Sequence, residues 1–173
     1  MRGLPLVPAA PPIDFEWRLN LRVAAGKLVQ QGGAEVHAAA YLRQRRLILD
    51  AALRRSPAEL KRILVHELFH FVWVRLSNSE RNSWAELISG EFQKHARGEL
   101  GWSAEWRKDA LKRRAQGRRW REYLCESFCD SAAWHFSGPG AQSDEFTLAQ
   151  RFARRRAAWL DGLAKARCYQ LPV

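Results

Sequence analysis

The chain has 173 residues, of which 47% are hydrophobic and 27% are charged. This composition predicts a folded protein with a real hydrophobic core and excludes an intrinsically disordered chain. No apolar run approaches the roughly 20 residues that a membrane-spanning helix requires, so we predict no membrane span.

Residues 1–12 contain four prolines, which predict a disordered lead-in without the apolar helical segment of a secretory signal. The three cysteines, Cys125, Cys129 and Cys168, are few and odd in number, which favours a reducing compartment over a disulfide framework. We therefore predict a cytoplasmic protein whose residues 13–173 form one domain.

Apolar side chains at roughly helical spacing predict a helix over residues 14–31. Two short apolar runs, over residues 34–42 and 45–53, predict strands. N-cap residues and glycine stops then predict five helices, over residues 56–76, 77–96, 103–117, 119–136 and 144–166. Among these signals are capping boxes at Ser56 and Ser77 and an N-cap at Asp144. The whole pattern predicts a predominantly helical α+β fold.

The first of these five predicted helices contains the stretch "RILVHELFHFVW", which carries two histidines and a glutamate inside an otherwise apolar run. His66 and His70 are one helical turn apart and therefore point the same way, with Glu67 beside them. Two imidazoles at this spacing bind one zinc ion, and the glutamate can act as a general base on a water molecule. The alternative is that two histidines fall at helical spacing by chance.

A catalytic zinc site needs a third protein ligand. The downstream candidates are Glu86, Glu91, Glu122, Glu126, His95 and His135. Glu126 differs from the others because Asp130 follows it by one helical turn, where an aspartate can accept a hydrogen bond from the second nitrogen of a ligand histidine. Glu86, Glu91 and a histidine remain the alternatives.

H-E-x-x-H followed by E-x-x-x-D resembles the gluzincin clan of zinc metallopeptidases, to which thermolysin belongs. The resemblance covers roughly residues 34–136. It implies a minimal zincin fold, with a short sheet packed on the zinc-binding helix, and one Zn²⁺ per chain bound by His66, His70 and Glu126. It also implies that Glu67 is the general base and that Asp130 orients His66. The chain departs from the clan at Cys125, where thermolysin-like enzymes often have asparagine.

Three further expectations follow for this site. Peptidases of this type align their substrate along a strand edge, which we predict near residues 45–50. Tyr123, on the same helix face as Glu126, is a candidate donor to the developing oxyanion, and a packed core tyrosine is the alternative. Cys125 and Cys129 are either a thiolate ligand source or small buried side chains.

The predicted function is therefore zinc-dependent hydrolysis of a peptide or protein substrate. The net charge of +11 is concentrated at residues 107–121 and 151–156, which favours nucleic acid or acidic surfaces as partners, with solvated helix faces as the alternative. Two other functions stay open. One is a nucleic-acid-associated zincin similar to the SprT-like proteins, and the other is a catalytically silent zinc-binding interaction protein.

Overall fold

A computed structural model of the chain describes residues 4–9, 11–25, 27–111, 117–138 and 144–173. Over these residues the fold is α+β and predominantly helical, as the sequence predicts. The helices are α1 (Pro57–Trp73), α2 (Asn78–Gln93), α3 (Trp102–Ala110), α4 (Gly117–Phe136) and α5 (Gln150–Ala166). The strands are β1 (Leu6–Val7), β2 (Asp14–Arg18), β3 (Arg22–Ala24), β4 (Lys27–Val29), β5 (Ala34–Glu35), β6 (Ala38–Tyr41), β7 (Arg46–Asp50) and β8 (Leu171–Pro172).

A three-stranded sheet with the order β2-β7-β6 packs on α1. Its central strand, β7, pairs parallel with β2 and antiparallel with β6. Leu47 and Leu49 of β7 are buried and pack with Ile63 and Leu64 of α1. A short sheet therefore lies against one face of α1, as predicted.

The opposite face of α1 packs against α4 through aromatic side chains. Phe69 is fully buried, and its ring centroid lies 5.6 Å from that of Phe128 and 5.5 Å from that of Phe136. Trp84 of α2 closes this core from the side, and its indole N–H donates to the Leu124 carbonyl at 3.1 Å. This core fixes α1 relative to α4, which matters because each helix carries half of the predicted site.

The predicted helix over residues 14–31 is wrong. Residues 14–18 form β2, and residues 22–24 form β3, which pairs antiparallel with β4 and β5. The sparse helical spacing of apolar side chains is outweighed by backbone pairing with β7, a partner about thirty residues further along the chain. The strands predicted over residues 34–42 and 45–53 exist in shorter form as β5, β6 and β7.

The predicted disorder of residues 1–12 is also wrong for their described part. Leu6 and Val7 pair parallel with β8 near the other end of the chain. The Arg45 guanidinium, whose backbone is left-handed (φ 48°), donates to the carbonyl oxygens of Ala9, Pro11 and Val173. One buried cation therefore joins both ends of the chain to the sheet.

The helix boundaries follow the predicted signals only in part. The capping box at Ser77 is confirmed, because its hydroxyl accepts from the Glu80 amide while the Glu80 carboxylate accepts from the Ser77 amide. Ser56 makes no such bond, and α5 begins at Gln150 rather than at Asp144. The prediction that residues 112–116 continue the third helix lies outside the described residues. Within the described residues, no helix has the length and apolarity needed to span a bilayer.

Candidate metal centre

α1 presents His66, Glu67 and His70 together at the side of the molecule where α4 crosses it. The ring centroids of the two histidines are 5.0 Å apart, and His66 is only 8% exposed. The remaining faces of α1 are buried. Its Phe69 and Val72 point into the helical core, and another face packs on the sheet. The helix is therefore apolar for packing reasons, and the two imidazoles occupy the stripe that faces α4.

α4 brings Glu126 to both imidazoles. Its Oε2 atom lies 3.4 Å from His66 Nε2 and 3.8 Å from His70 Nε2. Its other oxygen, Oε1, lies 3.0 Å from an Arg107 guanidinium nitrogen. Sequence reasoning did not single out Arg107 as a site residue, because the spacing of residues along the chain does not indicate that α3 lies against α4.

The other candidates for a third ligand lie elsewhere. Glu91 is buried and accepts hydrogen bonds from Nε and Nη2 of Arg156. His135 pairs with Asp161 at 2.9 Å. Glu86, Glu122 and His95 are exposed side chains.

Asp130 lies behind His66, as the E-x-x-x-D spacing predicts. Its Oδ1 atom is 2.7 Å from His66 Nδ1, and its Oδ2 atom accepts from the Ala104 backbone amide at 2.8 Å. The backbone of Gly101 approaches so closely that a Cβ at this position would overlap the Asp130 carboxyl group. The first turn of α3 therefore depends on a glycine at 101 and an aspartate at 130 together.

The charges of the site reinforce one another. Burial alone would raise the pKa of Glu126, but His66, His70 and Arg107 hold it at about 2. Burial would lower the pKa of His66, but the Asp130 and Glu126 carboxylates raise it well above its usual value. Burial would likewise lower the pKa of His70, but Cys125 and Glu126 raise it to about 9.

The predicted oxyanion donor, Tyr123, is not part of this site, and that prediction is wrong. Tyr123 is fully buried, and its hydroxyl donates to Glu99 Oε1 at 2.5 Å. Glu99 in turn binds Arg156 of α5 and Lys108 of α3. Tyr123 therefore belongs to a buried ion network between helices, because the preceding turn of α4 faces Phe92 and Glu99 rather than α1.

The two basic clusters are not continuous solvated faces. Arg107 and Lys108 point inward to Glu126 and Glu99, and Arg156 is fully buried between Glu91 and Glu99. The exposed arginines of the clusters in the described residues are Arg118, Arg119, Arg121, Arg151, Arg154 and Arg155. Lys112, Arg113 and Arg114, which the prediction also included, lie outside the described residues.

A cleft of about 260 Å³ opens beside His66 and Glu67. Its walls come from the segment leading into β6, from α1 and from the start of α3, including Val36, Ala38, Ile63, Trp102 and Ser103. The predicted substrate edge near residues 45–50 is wrong, because β7 is the central strand and is paired on both sides. The strand that lies at the cleft is β6, whose outer edge has no partner among the described residues.

Two distances in this donor set are compatible with a shared zinc ion. Bonds of about 2.0–2.2 Å to nitrogen and oxygen place neighbouring ligand atoms about 3.4 Å apart around a tetrahedral zinc ion. The two Glu126–histidine distances, 3.4 and 3.8 Å, are close to that value. Two imidazoles and one carboxylate are also the ligand types of catalytic zinc sites, which leave a fourth position open.

No protein-family model, no curated protein and no solved structure matches this chain. What the site does is therefore argued from its own geometry and chemistry.

Proposed function

We propose that this protein is a zinc metallopeptidase of the gluzincin type, with one Zn²⁺ per chain bound by His66, His70 and Glu126. The observation that carries the proposal is that one oxygen of Glu126 lies 3.4 and 3.8 Å from the Nε2 atoms of the two histidines. Asp130 behind His66 and Arg107 behind Glu126 support it, since ligands that are themselves hydrogen-bonded are held in a binding orientation.

A zinc ion in this site would supply Lewis acidity that polarises a carbonyl and lowers the pKa of water to about 7. Glu67 lines the cleft next to His66, and one of its carboxylate oxygens lies within 4.8 Å of a ring nitrogen of each histidine. It is therefore available to take a proton from the attacking water and to return it to the leaving amine. His66, His70 and, to a smaller extent, Arg107 hold the pKa of Glu126 at about 2, so this carboxylate stays ionised and does not compete for the proton.

The substrate binds as an extended peptide along the outer edge of β6. Ala38 of this strand and Glu67 line the same cleft, so a peptide paired with β6 would pass beside the general base. Backbone hydrogen bonds to a strand edge bind peptides with little dependence on sequence, and wall residues such as Trp102 and Ile63 would select apolar side chains.

The test combines zinc binding and hydrolysis in three variants. Glu126→Ala removes the proposed third ligand, Glu67→Gln removes the base and keeps the shape, and Glu122→Ala is a matched control one turn earlier on α4. Glu122 is exposed and pairs only with Arg118 in the described residues. Zinc affinity is measured by competition with a chelator, and hydrolysis is measured with a library of fluorogenic peptides.

We expect the wild-type chain and Glu122→Ala to bind one zinc ion with the same affinity and to cleave the same peptides. Glu126→Ala should lose zinc affinity by at least tenfold, and Glu67→Gln should bind zinc normally but lose hydrolysis by about 10²-fold or more. Unchanged zinc binding in Glu126→Ala would overturn the ligand set. Tight zinc binding without any hydrolysis would favour a silent interaction protein.

A second candidate function is supported by the outer face of α3. Trp102 and Trp106 are 61% and 56% exposed, and their rings stack at 6.2 Å with an interplanar angle of 13°. The Arg107 guanidinium lies 5.3 Å from the Trp106 ring centroid. Parallel exposed indoles beside cationic side chains are a platform on which bases of single-stranded nucleic acid can stack. On this interpretation the peptidase would act on proteins bound to nucleic acid.

This second candidate is tested with a fluorescent single-stranded oligonucleotide. Binding should weaken steeply as salt rises and should fall at least tenfold when Trp102 and Trp106 are both replaced by alanine. Trp159→Ala serves as a control, because that indole packs inside the helical core against Trp84. Equal binding by all three proteins would exclude the Trp102–Trp106 platform.

A further inference from the structure

His70 has a second group of ligand atoms on the side of its ring that faces away from Glu126. The Sγ atoms of Cys125 and Cys129 each lie 3.4 Å from His70 Nδ1. The two sulfurs and the nitrogen are all within 4.8 Å of one another. The Nε2 atom of the same ring faces Glu126. The two nitrogens of one imidazole thus face two different sets of donors.

This arrangement is more specific than the packing of small buried side chains. Cys125 and Cys129 are one turn apart on α4, and both sulfurs converge on one nitrogen of a residue on α1. Around a tetrahedral zinc ion, bonds of about 2.3 Å to sulfur and about 2.0 Å to nitrogen would separate a sulfur from the nitrogen by about 3.5 Å. The two distances of 3.4 Å are within a few tenths of an ångström of that value. An ion could therefore enter with only a small adjustment of the side chains.

We propose that His70 Nδ1, Cys125 and Cys129 form a second metal site, for a thiophilic ion such as Cd²⁺, Cu⁺ or Zn²⁺. Two thiolates and one imidazole are the ligands that soft ions prefer, whereas the imidazole and carboxylate donors on the other side of His70 suit borderline Zn²⁺. Both sulfurs would bind as thiolates, and any proton still held by the sulfurs or by His70 Nδ1 would be released to the buffer. Cys129 is fully buried and Cys125 is partly exposed, so the ion would enter from the side of Cys125.

Sharing His70 makes the two sites antagonistic. A neutral imidazole has one proton and one free lone pair. When an ion binds Nδ1, the ring therefore either keeps its proton on Nε2 or loses that proton and becomes an imidazolate. Either result weakens zinc at Nε2, the first through loss of a ligand and the second because two cations then repel one another across a single ring. A thiophilic ion at the sulfur side would thus inhibit the peptidase proposed above. The sulfur site itself does not depend on that activity.

The experiment is a Cd²⁺ titration of the reduced, metal-free 173-residue chain, followed by ultraviolet absorption. Thiolate-to-cadmium charge transfer reports on sulfur ligation directly and needs no enzymatic activity. The variants are Cys125→Ser with Cys129→Ser, the control Cys168→Ser at an exposed position, and Glu126→Gln, which removes a ligand of the first site only.

We expect a band that saturates at one Cd²⁺ per chain in the wild-type protein, in Cys168→Ser and in Glu126→Gln, and that is absent from the double cysteine variant. Persistence in Glu126→Gln would separate this site from the proposed peptidase centre, so either one can fail alone. An equally intense band in the double cysteine variant, or no band in the wild-type protein, would overturn the proposal.

A second measurement uses only the wild-type chain, in case the double variant does not fold. Iodoacetamide labelling is followed by mass spectrometry at each cysteine, with and without one equivalent of Cd²⁺. The ion should slow alkylation of Cys125 by at least tenfold and leave Cys168 unchanged. Identical labelling rates of Cys125 in both conditions would overturn the proposal regardless of how the variants behave.

Discussion

Asp130 Oδ1 lies 2.7 Å from His66 Nδ1, while the other oxygen of the same carboxylate accepts from the Ala104 amide. A proton on Nδ1 is thereby held toward Asp130, so that Nε2 is the nitrogen that would lose its proton and bind the proposed zinc ion. The partial positive charge at the start of α3 stabilises the carboxylate in this position. One aspartate therefore contacts a proposed ligand histidine and the first turn of α3 at the same time.

Replacement Asp130→Asn should lower zinc affinity by about 10- to 100-fold, because an amide orients His66 less strongly and removes the charge that makes the ring a better ligand. The measurement is chelator competition at fixed pH. Asp161→Asn is the matched control, since Asp161 makes a similar 2.9 Å contact with His135 outside the site. A zinc affinity of Asp130→Asn equal to that of Asp161→Asn would contradict the role of Asp130.

Replacement Gly101→Ala should destabilise the protein and weaken zinc binding, because the added methyl group overlaps the Asp130 carboxyl group. Overpacking of this kind costs about 1–3 kcal/mol in the free energy of unfolding. Gly90→Ala is the control: it lies inside α2 with no atom within 4 Å of the added carbon, so about 0.5–1 kcal/mol of stabilisation is expected. Urea unfolding measures both, and a neutral Gly101→Ala variant would contradict this contact.

Zinc binding should release about two protons per ion near pH 7, because His66 and His70 are protonated in the metal-free chain and bind as neutral rings. The pKa of His70 is about 9 and that of His66 is also raised well above the usual histidine value, so affinity should increase with pH up to about 9. Calorimetry in buffers of different ionisation enthalpy measures the release. An enthalpy independent of the buffer would show that the rings are already neutral.

The same two shifts act on the stability of the metal-free chain. A raised histidine pKa favours the protonated folded state, so the stabilisation is complete below the unfolded value of 6.5. It should be lost as the pH rises through about 9, where His70 deprotonates in the folded chain. Thermal unfolding with a chelator present, at pH 6 and at pH 10, measures this loss. Added zinc should remove most of the difference.

Replacement Arg156→Met should destabilise the fold by about 3–5 kcal/mol, because it leaves Glu91 buried without its cation and leaves Glu99 with Lys108 alone. Arg156 is fully buried and its guanidinium bonds to both carboxylates, at 2.6 Å in each case. Arg155→Met, one residue earlier and exposed, is the control. Urea unfolding should separate the two variants clearly, and similar midpoints would mean that the buried network contributes little.

Replacement Tyr123→Phe should leave zinc affinity and hydrolysis unchanged while reducing stability. The lost hydroxyl donates to buried Glu99, and a hydrogen bond to a charged group contributes about 1.5–3 kcal/mol. The rate constant of peptide hydrolysis and the free energy of unfolding are both measured. A drop of more than tenfold in kcat with normal zinc binding would instead restore Tyr123 as a catalytic residue.

The features that could be read along the chain are local ones. Residues four apart on a helix share a face whatever surrounds the helix, so the pairs His66–His70 and Glu126–Asp130 were recognisable before any fold was known. The same is true of the capping box at Ser77, which is closed by a residue three positions away. The predominantly helical α+β class followed from such patterns.

The remaining features depend on contacts between distant segments. Nothing near Asp14 indicates that it pairs with Arg46, and nothing near Arg156 indicates that two carboxylates from other elements surround it. Arg107, Gly101 and the cysteine pair enter the site because α3 and α4 pack where their side chains meet, and Tyr123 leaves it for the same reason. Helical periodicity specifies the face on which a side chain lies, but only the packing of the core specifies what that face meets.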